Sequence, residues 1–189
     1  MPAPQYTPYY CEENIWHLAG DPRVGDGERV VAILSNAIGG VACFRQRASL
    51  ELGDPVLWDY HVVLFHRWDG VAGPWEVWDL DTLLGAPVEA TRWLDATFGP
   101  VGWLPRAFAP RFRLVAAAAY RDVLVSDRSH MRTARGWRHP PPPWPPIGAG
   151  EPTLGRLVDL DDPWVGEVVE REELERLTHR ASLGARHGG

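Results

Sequence analysis

The chain has 189 residues, 45% of them hydrophobic, with 25 Asp and Glu against 19 basic side chains, all Arg, for a net charge of −6. A surface of that sign does not displace phosphate counterions, which excludes a nucleic-acid partner, and the length is enough for one domain, 1–189, that buries roughly 70% of its unfolded surface without disulfide or metal staples. Only Cys11 and Cys43 carry thiols, nothing after Met1 reads as a charged segment leading into an apolar one, and the apolar runs Val62–Phe65 and Leu114–Tyr120 fall far short of the roughly 18 residues of a membrane span; the expectation is a reducing, cytoplasmic setting, no membrane, and a monomer.

Residues 1–8 are Pro-rich and read, with 183–189, as flexible ends. Cys11–Ala19 predicts a short helix, because Glu12 and Glu13 suit the positive end of its dipole and Gly20 stops it. After a polar loop at Asp21–Glu28, Arg29–Leu34 and Gly40–Phe44 read as Val- and Ile-containing strands that the turn residues of Ser35–Gly39 would join as a hairpin. Val56–Trp68 is nearly continuous in apolar side chains, the pattern of a strand buried on both faces. Trp75–Leu80 repeats it after a turn at Asp69–Pro74, which makes this pair the expected centre of the sheet. Pro87–Phe98 predicts a helix ended by Gly99-Pro100, and Arg111–Tyr120 another strand. Pro140–Pro146 predicts an extended polyproline segment, and Glu167–Ala181 a final helix with Leu174, Leu177 and Ala181 on one face. These elements define an α/β (α+β) domain, a mainly antiparallel central sheet flanked by helices.

Cys11 opens the first helix, where unpaired N–H groups favour a thiolate and hence a nucleophile. A small buried hydrophobe is the plainer account of the same residue, and Cys43, set between Ala42 and Phe44 in a strand, has only that account. His61 lies within the buried strand behind Trp58, Asp59 and Tyr60. If the two strands form a hairpin turning about Gly70, His61 faces Asp79, and a carboxylate on one ring nitrogen leaves the other free to take a thiol proton. A purely structural His–Asp hydrogen bond accounts for those two residues equally well. Alternation puts His66 on the opposite face, and no CxxC or HxxxH spacing prepares Cys11, His61, His66 and Asp79 for zinc, so neither metal nor cofactor is expected.

The segments Tyr10–Trp16 (YCEENIW), Trp58–Leu64 (WDYHVVL), Asp79–Thr82 (DLDT), Ser126–Met131 (SDRSHM) and the Pro140–Pro146 run occur in an order that resembles the protein N-terminal glutamine amidohydrolase family, over about Tyr9 to His179. That resemblance implies a core similar to those of transglutaminases and papain-like proteases, with Cys11 as nucleophile, His61 as base and Asp79 as orienting carboxylate. It implies as substrates proteins or peptides bearing N-terminal Gln, whose side-chain amide becomes Glu through a thioester with loss of ammonia. The α-ammonium of such a substrate needs an acceptor, for which Glu13, Asp59, Asp81 and Asp127 are candidates. Trp58 would wall the pocket, and Ser126, with Arg128 and His130 close by, would shape it or form a turn network. Trp144 is expected to fold the Pro-rich run back onto its own domain. Two rivals use parts of the same pattern: the triad serving peptide cleavage or transglutamination, and a non-catalytic module that binds peptide N-termini.

Overall fold

Helix α1 (Cys11–Ala19) leads through a short 3-10 turn into strand β1 (Gly27–Ser35), followed by β2 (Val41–Cys43), β3 (Val56–Trp58), β4 (His61–Trp68), β5 (Glu76–Trp78) and β6 (Val88–Glu89). The second half runs α2 (Ala90–Phe98), β7 (Arg111–Ala116), α3 (Ala117–Val123), β8 (Arg132–Thr133), β9 (Gly136–Trp137), α4 (Leu154–Val158), β10 (Glu167–Glu170) and α5 (Arg171–Thr178). This computed structural model describes residues 4–179 apart from 37, 52, 70–72, 101 and 103–105. The expected turn centre Gly70, Ala181 of the last helix and the tail from 183 lie outside the described residues. None of the described helices is long and apolar enough to cross a membrane.

Six strands form one sheet in the order β10-β7-β1-β4-β5-β6, and every neighbouring pair is antiparallel. Its centre is β1, whose VVAIL run explains the placement: alternate side chains face two separate cores. Val30, Ala32 and Leu34 join Val63, Phe65, Trp93 and Leu174 under α2 and α5. Val31 and Ile33 join Val62, Leu64, Ile15, Tyr120 and Leu157 under α1, α3 and α4. Each fully buried branched side chain contributes about 1.5 to 3 kcal/mol, so a strand buried on both faces belongs inside the sheet. The buried Arg113 of β7 donates to the carbonyls of Leu157, Asp159, Asp162 and Val165, tying the α4 region to the sheet.

The structure corrects several expectations. The hairpin of Arg29–Leu34 with Gly40–Phe44 does not form; β1 pairs β4 and β7, and β2 pairs β3 in a separate two-stranded sheet. Val56–Trp68 is two strands in two sheets, broken at Asp59-Tyr60, where the Asp59 carboxylate accepts from the Tyr60 N–H and bends the chain. The strand from Arg111 stops at Ala116 because the alanines that follow bring no β-branched side chain to a ladder, and α3 begins there. Likewise, α2 begins at Ala90, capped by the Glu89 carboxylate on the Thr91 and Arg92 N–H groups, and Glu167–Glu170 is an edge strand ahead of α5.

Candidate active site

The segment before α1 sets the position of the first functional side chain. Among its described residues, Tyr6 donates to Asp81 at 2.6 Å, and the Thr7 N–H and carbonyl bond both ends of the Asn14 amide at 2.8 Å. Tyr9 takes a left-handed φ of 69°, a conformation that costs a non-glycine residue about 1 kcal/mol or more, and its ring stacks on His139 at 3.5 Å. This turn delivers Cys11 to the start of α1, beside the first residues of β4, and the backbone N–H of Val62 is directed at its sulfur. The surroundings of the thiol act against the ionisation that a helix start favours. Burial first, then the charges of Glu12, Asp81 and Asp59, push the group well above the ordinary thiol range.

His61 opens β4, and its Nε2 meets Asp79 Oδ1 at 3.0 Å with both side chains buried. The two are not directly opposed. The ladder pairs Leu64 with Trp78 and His66 with Glu76, so its continuation would set His61 against Asp81, and Asp79 is the residue just past β5. The register thus differs by two residues from the hairpin read in the sequence, an even number, which keeps both side chains on one face as diagonal neighbours.

Asp79 is saturated with donors. Oδ1 accepts from His61 and the Asp81 N–H, while Oδ2 accepts from Gln46 at 3.1 Å and from the Trp93 indole at 3.0 Å. Burial would raise its carboxyl, but the imidazole and these donors outweigh it and hold the group below the usual carboxylate range. Burial likewise works against a charged His61, and Asp79 and Asp81 override it, so the imidazole sits above its ordinary value. Trp58 stacks on the ring at 5.6 Å, and Nδ1 has no hydrogen-bond partner among the described residues. His61, Asp79 and Asp81 bring ligand atoms within 4.8 Å of one another, but the four donors on Asp79 leave its oxygens committed.

A cleft of about 270 Å³ opens over the thiol, walled by Tyr9, Trp58, Tyr60, His130, Met131 and His139 among others, with Asp59 and Asp81 as its carboxylates. Of the other sequence candidates, Glu13 lies in a buried network, taking Arg128 on both oxygens together with Ser126 and the Trp144 indole. That network fastens the Pro-rich run to the domain, since Arg128 also donates to the Trp144 carbonyl. Asp127 caps the Ser129 N–H instead. Gln46 and Trp93, 33 and 14 residues from Asp79 in sequence, carried no local signal. Cys43 is a core residue, and His66 lies on the opposite face, bonded to the Asp26 carbonyl at 3.1 Å.

Glu12, which motif reading passed over, is completely buried beside Cys11 and is pushed up to about 7 by burial, with Tyr60 donating to Oε2 at 3.0 Å. A carboxyl held above its unfolded value binds its proton more tightly when folded, so stability is full below the unfolded value and falls as pH rises toward 7. Glu12→Gln, which keeps an acceptor for Tyr60 without the charge, is therefore expected to raise the unfolding free energy by about 2 to 3 kcal/mol at pH 8 and by little at pH 4. Urea denaturation at both pH values checks this. An equal effect at the two would refute the buried-charge account.

A thiol opening a helix, an imidazole starting the adjoining strand and a carboxylate saturated by N–H donors are the parts of a cysteine-dependent amide hydrolase. The chain belongs to the N-terminal glutamine amidase family, whose model matches residues 6–178. It is 36% identical over 182 residues to the human protein N-terminal glutamine amidohydrolase, covering 93% of this chain and 86% of that one. The Arabidopsis thaliana protein of the same name is 34% identical over 160 residues (81% and 72%), and that of Caenorhabditis elegans 31% over 162 (83% and 85%).

Proposed function

We infer that this chain hydrolyses the side-chain amide of an N-terminal glutamine on a protein or peptide, leaving N-terminal glutamate and releasing ammonia. The observation that carries the reading is the His61 imidazole of a family member, fixed by Asp79 through Nε2 and left with an unpartnered Nδ1 at the strand end that abuts the Cys11 thiol. As the sulfur attacks the glutamine amide carbon, the thiol proton passes to Nδ1. The imidazolium, stabilised by Asp79, returns that proton to the departing amine, which leaves as ammonia from a thioester. Water, deprotonated at Nδ1, then attacks the thioester carbon, and the thiol leaves with its proton restored. Backbone N–H groups at the start of α1 stabilise the tetrahedral oxyanion, each worth about 3 to 4 kcal/mol. This chemistry needs no cofactor.

Asp59 and Asp81 line the cleft together with Arg138, and the two carboxylates offer acceptors to a substrate with a free N-terminus. Ammonia release and mass spectrometry on Gln-Xaa, acetyl-Gln-Xaa and Asn-Xaa peptides test the reading. Acetylation is expected to lower kcat/KM by about 10³-fold or more, because the site's carboxylates lose their cation. Asn should fail as well, its amide carbon standing one methylene short of the thiol when the amine is anchored. Equal turnover of the acetylated peptide would assign a general glutaminyl amidase, and a new peptide end or crosslink a protease or transglutaminase.

A further inference from the structure

Glu12 takes no part in that reaction sequence, although its carboxylate adjoins the nucleophile. Three residues that wall the cleft enclose it: Cys11 Sγ lies 3.9 Å from Oε2, the Tyr60 hydroxyl 3.0 Å from Oε2, and His130 Nε2 3.6 Å from Oε1. Oε1 is buried without a hydrogen-bond partner among the described residues. Its charged surroundings are Glu13 on the same helix, Asp59 ahead of β4 and His130 on the loop after α3, while Tyr120 of α3 bonds only its backbone carbonyl. Of the nearby cations, Arg128 is committed to Glu13, while Arg138 lines the cleft on the side of His130. A buried carboxylate oxygen without a hydrogen-bond donor, behind the wall that Cys11, Tyr60 and His130 form beside Asp59 and Asp81, is suited to a cationic donor.

We propose that Glu12 is the acceptor of the substrate's α-ammonium, and that the Cys11 thiol is freed for attack only once this cation has neutralised Glu12. The proposal rests on the deamidation reading above. A negative charge 3.9 Å from the sulfur opposes a second one on it, strongly so away from water. Bound ammonium cancels that opposition, and the thiol proton then leaves for His61 Nδ1, as in the sequence already given. The reach is adequate: the α-nitrogen of glutamine lies at most about 5 Å from the amide carbon, which itself approaches the sulfur to about 3 Å. The ammonium takes the place that the edge of the His130 ring holds at Oε1. Recognition of the free N-terminus is therefore read out in kcat as well as in KM.

The test is a cycle between residue and substrate. Gln-Gly and its des-amino analogue, which lacks only the α-amine, are compared with wild-type protein, Glu12→Gln and Asp59→Asn. The wild type is expected to favour Gln-Gly by about 100-fold or more in kcat/KM, and Glu12→Gln to shrink that preference at least about tenfold. Without substrate, Glu12→Gln should also speed iodoacetamide labelling of Cys11 at neutral pH, a change that a merely structural role would not produce. An unchanged preference, or its collapse in Asp59→Asn alone, overturns the assignment of the acceptor, and unchanged labelling overturns the activation step. Glu12→Asp, which keeps the charge one methylene farther back, serves as the second variant and should also lose preference. Failure of the wild type to release ammonia from Gln-Gly would instead refute the deamidation reading.

Discussion

Cys11→Ala is expected to lower ammonia release from a Gln-led peptide by about 10⁴-fold or more, since the other members of a nucleophilic triad have nothing to act on without it. The loss should come without unfolding, because one sulfur is removed at a cleft wall where the residue is only 7% exposed. Cys43 provides the contrast. It is fully buried in the core beneath α2, so Cys43→Ala should cost about 1 to 2 kcal/mol of stability and leave turnover of the folded protein intact. Iodoacetamide should label Cys11 first, from the cleft, even though burial and the surrounding carboxylates keep the resting thiol protonated. Residual turnover by Cys11→Ala within a hundredfold of wild type would remove the thioester from the mechanism.

The parts of the site that lie close in sequence were legible. Helix α1 announces itself through Glu12, Glu13 and Gly20, and the step from His61 to Asp79 spans only one hairpin, so alternation alone places both on one face even with the register two residues off. What sequence reading could not supply is long-range pairing. Nothing in the VVAIL run says that its neighbours are β4 and β7 rather than the next strand in the chain, and the same uncertainty hid the break at Asp59-Tyr60, where one apolar stretch serves two sheets. Electrostatics misled for a related reason. A helix start favours a thiolate in isolation, but burial first, and then carboxylates that arrive from α1, from the turn after β5 and from the turn before β4, raise the thiol. Glu12 was overlooked because a glutamate in a first helical turn ordinarily serves the dipole from the surface, whereas here it is enclosed.

Asp79→Asn tests whether the carboxylate does more than hold the ring. An asparagine at this position has one oxygen and one NH2 where four donors converge. If the oxygen faces His61, the NH2 meets the Gln46 and Trp93 N–H groups; if it is turned around, the NH2 faces His61 and stabilises the wrong tautomer. In either orientation no charge remains to support the imidazolium, and kcat/KM is expected to fall by about 10³- to 10⁴-fold. The pH profile separates this from simple loss of structure. With its folded value raised by Asp79 and Asp81, His61 becomes the free base that the first step requires only above the ordinary imidazole range. The acidic limb of the wild-type profile should therefore lie above pH 6.5, and the variant's residual activity should show that limb shifted toward lower pH. Stability follows the opposite sense to that of Glu12. Because Asp79 is held below its unfolded value, its contribution is full above that value and disappears as pH falls through the folded one. Unpaired donors then make the variant less stable by about 2 to 3 kcal/mol at pH 7, with the gap narrowing in strong acid. A variant within tenfold of wild type, with its acidic limb unmoved, would reduce the His61–Asp79 contact to a structural hydrogen bond and leave the base in this site to be found elsewhere.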